Sequence, residues 1–428
     1  MNINILTTGA VADGMTLNTE SIQKAIDLCA ENGGGRVEVP AGTFVTGTIW
    51  LKSHVELYLE QGAVLKASTN MDDYNELDAY PQNYSWLPEE WVGKHLIITV
   101  GQTDVAISGH GTIDGSGNAF FEPWQACTWA NYTWSYGCSV AANKETWRPG
   151  QMVVFVECDH VRVTDVTLQN TPCWACFFHG CEYVWARGIR VQNEKHFCNS
   201  DGLDIDTCRF VTVSDCIIDT GDDAIAIRCA GHRLQKKTEC CEYVTITNCV
   251  LGSCSSVFRL GVGHGQIRHI TISNINIFRG ATGFNLMSAY LKNGCARMEN
   301  IMISNVVADQ VSFPFSLTEY NNAYLRNITI DGYRAKGMCA SRIYADDPGT
   351  ISNITFRNVE IELMDPPFPV RENEQEERGD TALHVQGARD VHFENVKFTI
   401  PENISHKWRT IAEITDSENI TTTNCNFG

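Results

Sequence analysis

The chain has 428 residues, 43% hydrophobic and 19% charged, a balance that excludes a disordered polymer and fits a folded globular protein. Its formal net charge of −19 argues against nucleic acid as a partner, because phosphate binding needs clustered Lys and Arg; any long polyanion is also an awkward substrate unless basic residues gather locally. There is no run of 18 apolar residues, so no membrane span is expected.

The start, Met1-Asn2-Ile3-Asn4-Ile5, carries neither a charged n-region nor an apolar h-region, and a cytoplasmic location is expected. A turn-rich stretch with Gly9, Asp13 and Gly14 leads to one predicted helix, Thr19 to Glu31. Asn18 or Thr19 can cap it, Ile22, Ala25, Ile26 and Cys29 fall on one face, and Gly33-Gly34-Gly35 ends it. From Val37 onward the apolar period changes from 3.6 to 2.

The chain then repeats itself. Short apolar-x-apolar strands recur at Val105, Val161, Val184, Val211, Val244, Ile270, Ile301, Ile328, Ile354, Val391 and Ile420, each followed by Asn, Asp or Gly. From 184 to 354 the start-to-start spacings stay in the twenties to low thirties, which means a solenoid. Helical periodicity is missing inside the units and β-branched residues fill them, so each unit reads as one coil of a parallel β-helix. The expected fold is all-β: a parallel β-helix, one domain over 1–428, with the Thr19–Glu31 helix covering the open N-terminal edge. Asn248, Asn274, Asn305, Asn358, Asn395 and Asn424 fit side-chain stacks at the turns.

Two stretches break the pattern. Residues 70–150 hold six of the ten tryptophans (Trp86, Trp91, Trp124, Trp129, Trp134, Trp147), which suits either sugar stacking or a satellite core. The acidic run from Pro366 to Gly379 reads as a surface loop. Eighteen cysteines, many at strand ends, are expected to be mostly buried thiols rather than disulfides. Neither Cys240-Cys241 nor Cys173/Cys176 belongs to a set with zinc spacing, so neither metal nor cofactor is expected.

The chemistry centres on residues 199 to 228. Asp222 and Asp223 follow Gly221, and Asp201 lies one coil earlier, 21 residues upstream. Equivalent places on successive coils are about 4.8 Å apart, so the three carboxylates can meet on one outer face. Neighbouring carboxylates repel, which favours one protonated and one ionised group, the state an acid–base pair requires. Calcium could also neutralise them, though it takes more oxygen ligands than this trio offers.

At these residues the sequence resembles the polygalacturonase family, glycoside hydrolase family 28, over nearly its whole length. The resemblance runs from Thr8-Gly9-Ala10-Val11-Ala12-Asp13-Gly14 through Pro40-Ala41-Gly42-Thr43-Phe44 and Gly111-Thr112-Ile113-Asp114-Gly115. The family's Asn-Thr-Asp-Gly stands here as Asn199-Ser200-Asp201-Gly202, and its Gly-Asp-Asp as Gly221-Asp222-Asp223. The resemblance implies a right-handed parallel β-helix that hydrolyses glycosidic bonds of pectin-type polymers with inversion. It makes Asp222 the general acid and gives the attacking water to Asp201 and Asp223. It also places the family's downstream tyrosine at Tyr320 and its substrate-side asparagine at Asn199.

Two departures matter. Ser256 stands where the family has a histidine, and Gly263-His264-Gly265 is displaced to a later loop. The family's Arg-Ile-Lys, which holds the uronate carboxylate, is Asn285-Leu286-Met287. Losing such charge-assisted bonds weakens an acidic ring at that place. Arg228 and Arg259, on consecutive coils, are the replacement candidates, and His179, His196 and His264 are further candidates for the cleft wall. The leading expectation is an inverting, exo-acting glycoside hydrolase with an altered sugar subsite and a carbohydrate substrate. A lyase or epimerase using Arg228, Arg259 or His264 as base, and a non-catalytic carbohydrate-binding solenoid, are the alternatives.

Overall fold

The computed structural model describes residues 1–122, 147–236, 239–290, 294–367 and 379–427. Trp124, Trp129 and Trp134, and most of the acidic loop after Pro366, lie outside these. The chain divides into two compact units: the described parts of Met1–Thr128, Val140–Asp222 and His232–Thr238, and those of Asp223–Gly231 and Glu239–Gly428. Each is a right-handed parallel β-helix stack; the repeat predicted the parallel coils and the family resemblance their hand.

In the first unit the strands fall into three parallel columns. Leu57, Ile107, Val163, Ala186 and Val213 occupy one register position on successive coils. Leu65, Ile113, Leu168, Val191 and Ile218 do the same in the second column. Thr99, Phe155, Phe178 and Ile205 form a row of the third, where the Phe155 and Phe178 rings stack at 5.4 Å. Side chains alternate across a strand, so one residue in two enters the core, and like sits on like. The second unit repeats the plan, with Val244, Ile270, Ile301, Ile328, Ile354, Val391 and Ile420 in one register row. Phe258, Phe284 and Phe315 make another, the first two rings 5.3 Å apart.

The helix, α1, spans Thr19–Glu31 and buries Ile22, Ala25, Ile26 and Cys29, as expected. Its start is held differently from the expected cap. The Asn18 side chain makes no cap bond; instead it brackets Val11, accepting its N–H at 2.6 Å and donating to its carbonyl at 3.1 Å. The Thr19 hydroxyl accepts the Gly47 N–H at 2.7 Å. The glycine stop is present, with Gly33 and Gly34 N–H groups donating to Ala30 and Cys29 carbonyls. No helix among the described residues is long and apolar enough to cross a membrane.

The asparagine stacks are real. Asn248, Asn274 and Asn305 all take φ near +55°, a left-handed conformation that asparagine tolerates better than most residues. Each amide donates to the preceding side chain, at 3.3 Å in both steps. Asn424, Asn395 and Asn358 continue the pattern at 2.7 and 3.1 Å. Cys29, Cys158, Cys173, Cys176 and Cys181 are buried free thiols. The thiols of Cys158 and Cys181 donate to carbonyls of the preceding coil; the Cys181 side chain and then burial push Cys158 well above the ordinary thiol range, and burial does the same to Cys181. The tryptophan-rich stretch builds a satellite core: Trp91 is buried with Ile98, Trp174 and Phe177, and Trp86 packs against them, whereas Trp147 is exposed.

Candidate active site

The 197–202 turn and the strand end at Asp222 are built by short contacts within the first unit. Asn193 Nδ2 donates to the Ser200 carbonyl at 3.0 Å, and the Ala175 N–H donates to the Asp201 carbonyl at 2.9 Å, so the turn is gripped from two coils. The Ser200 hydroxyl donates to the Phe197 carbonyl and accepts the Gly221 N–H. Position 221 must be glycine. A Cβ there would lie 2.6 Å from both the Phe197 carbonyl oxygen and Ser200 Oγ. That close approach carries Asp222 to Asn199, whose N–H donates to Asp222 Oδ2 at 3.0 Å. Carboxylate oxygens of Asp201, which is buried, and Asp222 lie within 4.8 Å. Two like charges this close are costly to keep, so the pair favours sharing one proton. They could also clasp a cation, but calcium takes about six to eight oxygen ligands.

Sequence reasoning missed Arg148. It has no solvent exposure, and its Nη2 donates to Asn199 Oδ1 at 2.6 Å and to the Glu89 carbonyl at 2.9 Å. Its Cζ lies 5.4 Å from the Phe121 ring centroid, and Phe121 in turn stacks on Phe197 at 4.2 Å. A lone basic residue in Trp147-Arg148-Pro149 gave no periodic signal. Burial pushes the neighbouring Cys198 and Cys173 thiols up, which keeps them neutral beside the guanidinium.

Asp223, the first described residue of the second unit, is 4% exposed. It accepts the Ser256 N–H at 2.9 Å and forms an ion pair with Arg259 Nε. The Arg259 guanidinium also lies 5.3 Å from the Tyr290 ring centroid. Asn285 is buried in register with Arg259, its Nδ2 donating to Ser256 Oγ at 3.1 Å, and its Oδ1 has no partner among the described residues. The serine in the expected histidine position thus orients Asn285. Tyr320 is half-buried, its ring 5.7 Å from that of Tyr344. Arg228 is half-buried on the strand Ile225–Cys229, with Val262 as its register partner.

The histidines are scattered. His179 is buried and stacked on Phe177 at 5.1 Å. His196 is half-buried in the turn before Asn199, and His264 is exposed in the turn after Ser256–Gly263, its N–H on the Cys229 carbonyl.

Comparison with known proteins places this geometry in a family. Residues 29–315 match Glycosyl hydrolases family 28. The exo-poly-alpha-D-galacturonosidase of Dickeya chrysanthemi is 26% identical over 469 aligned positions, covering all of this chain and 71% of that protein. A probable polygalacturonase of Vitis vinifera is 30% identical over 226 residues, 51% of this chain; the chain spans less than half of that relative's length, 43%. An exopolygalacturonase from Thermotoga maritima superposes with a TM-score of 0.72 at 22% identity, covering 93% of this chain and 92% of that one, a likeness of fold. The Yersinia enterocolitica family 28 exopolygalacturonase gives 0.71 at 21% identity, over 98% and 78%. The parallel coils, the Asn-x-Asp-Gly and Gly-Asp-Asp turns and the match across two thirds of the sequence make this chain a glycoside hydrolase of family 28.

Proposed function

We propose that the protein is an exo-acting, inverting hydrolase of pectin-type oligosaccharides whose sugar subsite beside the cleaved bond no longer suits a uronate. The observation that carries this reading is the Asp201–Asp222 pair, within 4.8 Å, continued by Asp223 as the next residue. Asp222 is the general acid: the Asn199 N–H holds its Oδ2, and its carboxyl gives the proton to the leaving oxygen. Asp201 and Asp223 position and deprotonate the attacking water. Inverting carboxyl pairs commonly stand about 6.5–9.5 Å apart. The gap here is shorter, so inversion rests on family membership, and the anomeric form of the first product is its check.

The changed subsite rests on Asn285 and Met287 where the family has cations, and on Arg259, whose guanidinium is taken up by Asp223. That ion pair also weighs against Arg259 as the base of a lyase. Names of the relatives support a pectin-type substrate, and the exopolygalacturonase likenesses support attack from a chain end. Turnover on polygalacturonate, against neutral and mixed oligosaccharides at two salt concentrations, tests the reading. Slow polygalacturonate turnover, only partly relieved by salt, is expected, because screening removes long-range repulsion but does not restore a missing cation. Fast depolymerisation at low salt overturns the altered subsite. An unsaturated, ultraviolet-absorbing product overturns hydrolysis.

A further inference from the structure

The outward face of the second unit carries a cation away from the acids. Register sets Arg259, Asn285, Ser316 and Arg342 in one row, each a coil beyond the last. At about 4.8 Å per coil, Arg342 stands roughly 14 Å from Arg259. Arg342 is exposed, and among the described residues it has no ion-pair partner. The next member of the row, His384, is pushed below its ordinary value by burial, against the pull of Glu413. Nearby acids are already engaged. Glu319 accepts the Ala323 and Asp347 N–H groups at 2.9 and 3.2 Å and the Thr350 hydroxyl at 2.9 Å. Asp346 accepts the Tyr344 hydroxyl at 3.3 Å. In a chain of net charge −19, a guanidinium without an ion-pair partner among the described residues is a ready place for a carboxylate.

Tyr344, two residues on, shares the outward face of the same strand. Its ring meets Tyr320 at 5.7 Å and 44°, and the Tyr320 main chain is fixed in place, its N–H donating to Ser288 Oγ at 2.7 Å and its carbonyl accepting from that hydroxyl at 3.0 Å. A half-buried aromatic pair thus adjoins an exposed guanidinium. Aromatic faces take the apolar face of a sugar ring, and a guanidinium takes a carboxylate in bidentate fashion.

We propose that Arg342, with the Tyr344–Tyr320 pair, forms a subsite for a uronate ring some way along the oligosaccharide from the cleaved bond. This rests on the glycosidase reading above. It makes an acidic sugar a recognition element without requiring one at Asn285 and Met287. The enzyme then selects mixed chains, with a uronate at one distance from the scissile bond.

The test measures binding apart from turnover. Titration calorimetry on the Asp222→Asn protein uses trigalacturonate, its methyl ester and neutral galactotriose. The acid is expected to bind about tenfold or more tighter than the ester at low salt, the effect of one charge-assisted contact. Arg342→Gln is expected to erase that preference, and Arg342→Lys to keep part of it. Tyr344→Leu is expected to weaken acid and ester alike. Arg342 is exposed, so unchanged thermal unfolding will show that its variants fold. Equal binding of acid and ester, or a preference that survives Arg342→Gln, overturns the subsite while leaving the hydrolase reading intact. Failure of all three probes to bind likewise overturns the subsite, whereas the hydrolase reading stands or falls separately on turnover of the mixed oligosaccharides.

Discussion

Arg148, shut off from solvent, donates to the side-chain oxygen of Asn199 at 2.6 Å, and the N–H of Asn199 in turn holds Asp222 at 3.0 Å. The guanidinium therefore joins the Glu89 segment to the turn that orients the proposed acid. Arg148→Met leaves two part-buried acceptors without a donor and is expected to cost about 0.5–1.5 kcal/mol for each. Activity is expected to fall further than stability does, because Asn199 loses its anchor. Arg148→Lys keeps the charge but not the planar fork, and is expected to restore stability more than turnover. Denaturant unfolding alongside kcat and KM separates the two effects. Equal loss of turnover and fold in both variants counts against a positioning role.

Asp222→Asn is expected to cut turnover by about 10²–10⁴ while leaving the fold intact, because an amide cannot give a proton to the leaving oxygen. Asp201→Asn and Asp223→Asn are expected to be severe as well. The Asp223 variant also leaves Arg259 without its counter-ion, so its stability should fall more than that of the other two. Near wild-type turnover by Asp222→Asn would place the acid elsewhere.

His95 supplies a pH dependence of stability. It is buried, with Nδ1 2.8 Å from the Gln151 carbonyl, and burial lowers its pKa from 6.5 to about 4. Below pH 6.5 the unfolded chain takes up a proton that the folded chain refuses, so stability falls as pH drops from about 6.5 toward 4. The full effect is about 3 kcal/mol. His95→Gln is expected to flatten that part of the curve, read by denaturant midpoints at pH 7, 5.5 and 4.5. Parallel curves for the two proteins would refute the assignment.

Asn274 holds φ at +56° and bridges Asn248 and Asn305. Asn274→Ala keeps the strained backbone and removes both bonds, and is expected to cost about 1–2 kcal/mol for the conformation alone. Asn274→Gly relieves that strain, so it should lose less. Thermal unfolding ranks them; an alanine variant as stable as the glycine one would mean that the left-handed turn carries no cost.

The coil repeat, the capping helix and the asparagine ladders were legible in the residues because they are local and periodic. A period of two, a recurring turn asparagine and a single 3.6-residue stretch each reflect a neighbour relation that stacking multiplies along the chain. The approach of Asp201 to Asp222 was legible for the same reason, since a spacing of one coil is a distance in space. Arg148 and Glu89 were not: loops of unequal length bring them to their partners, and no period in the sequence encodes where a loop returns. The role of Asn18, turned from a helix cap to a clamp on Val11, was hidden likewise, because the hydrogen bonds open to an amide depend on which backbone comes near it. Arg259 could be read as a substrate cation or as the counter-ion of an acid. Its ion pair with Asp223 came into view only in the folded chain, because which carboxylate a guanidinium meets depends on how the coils stack.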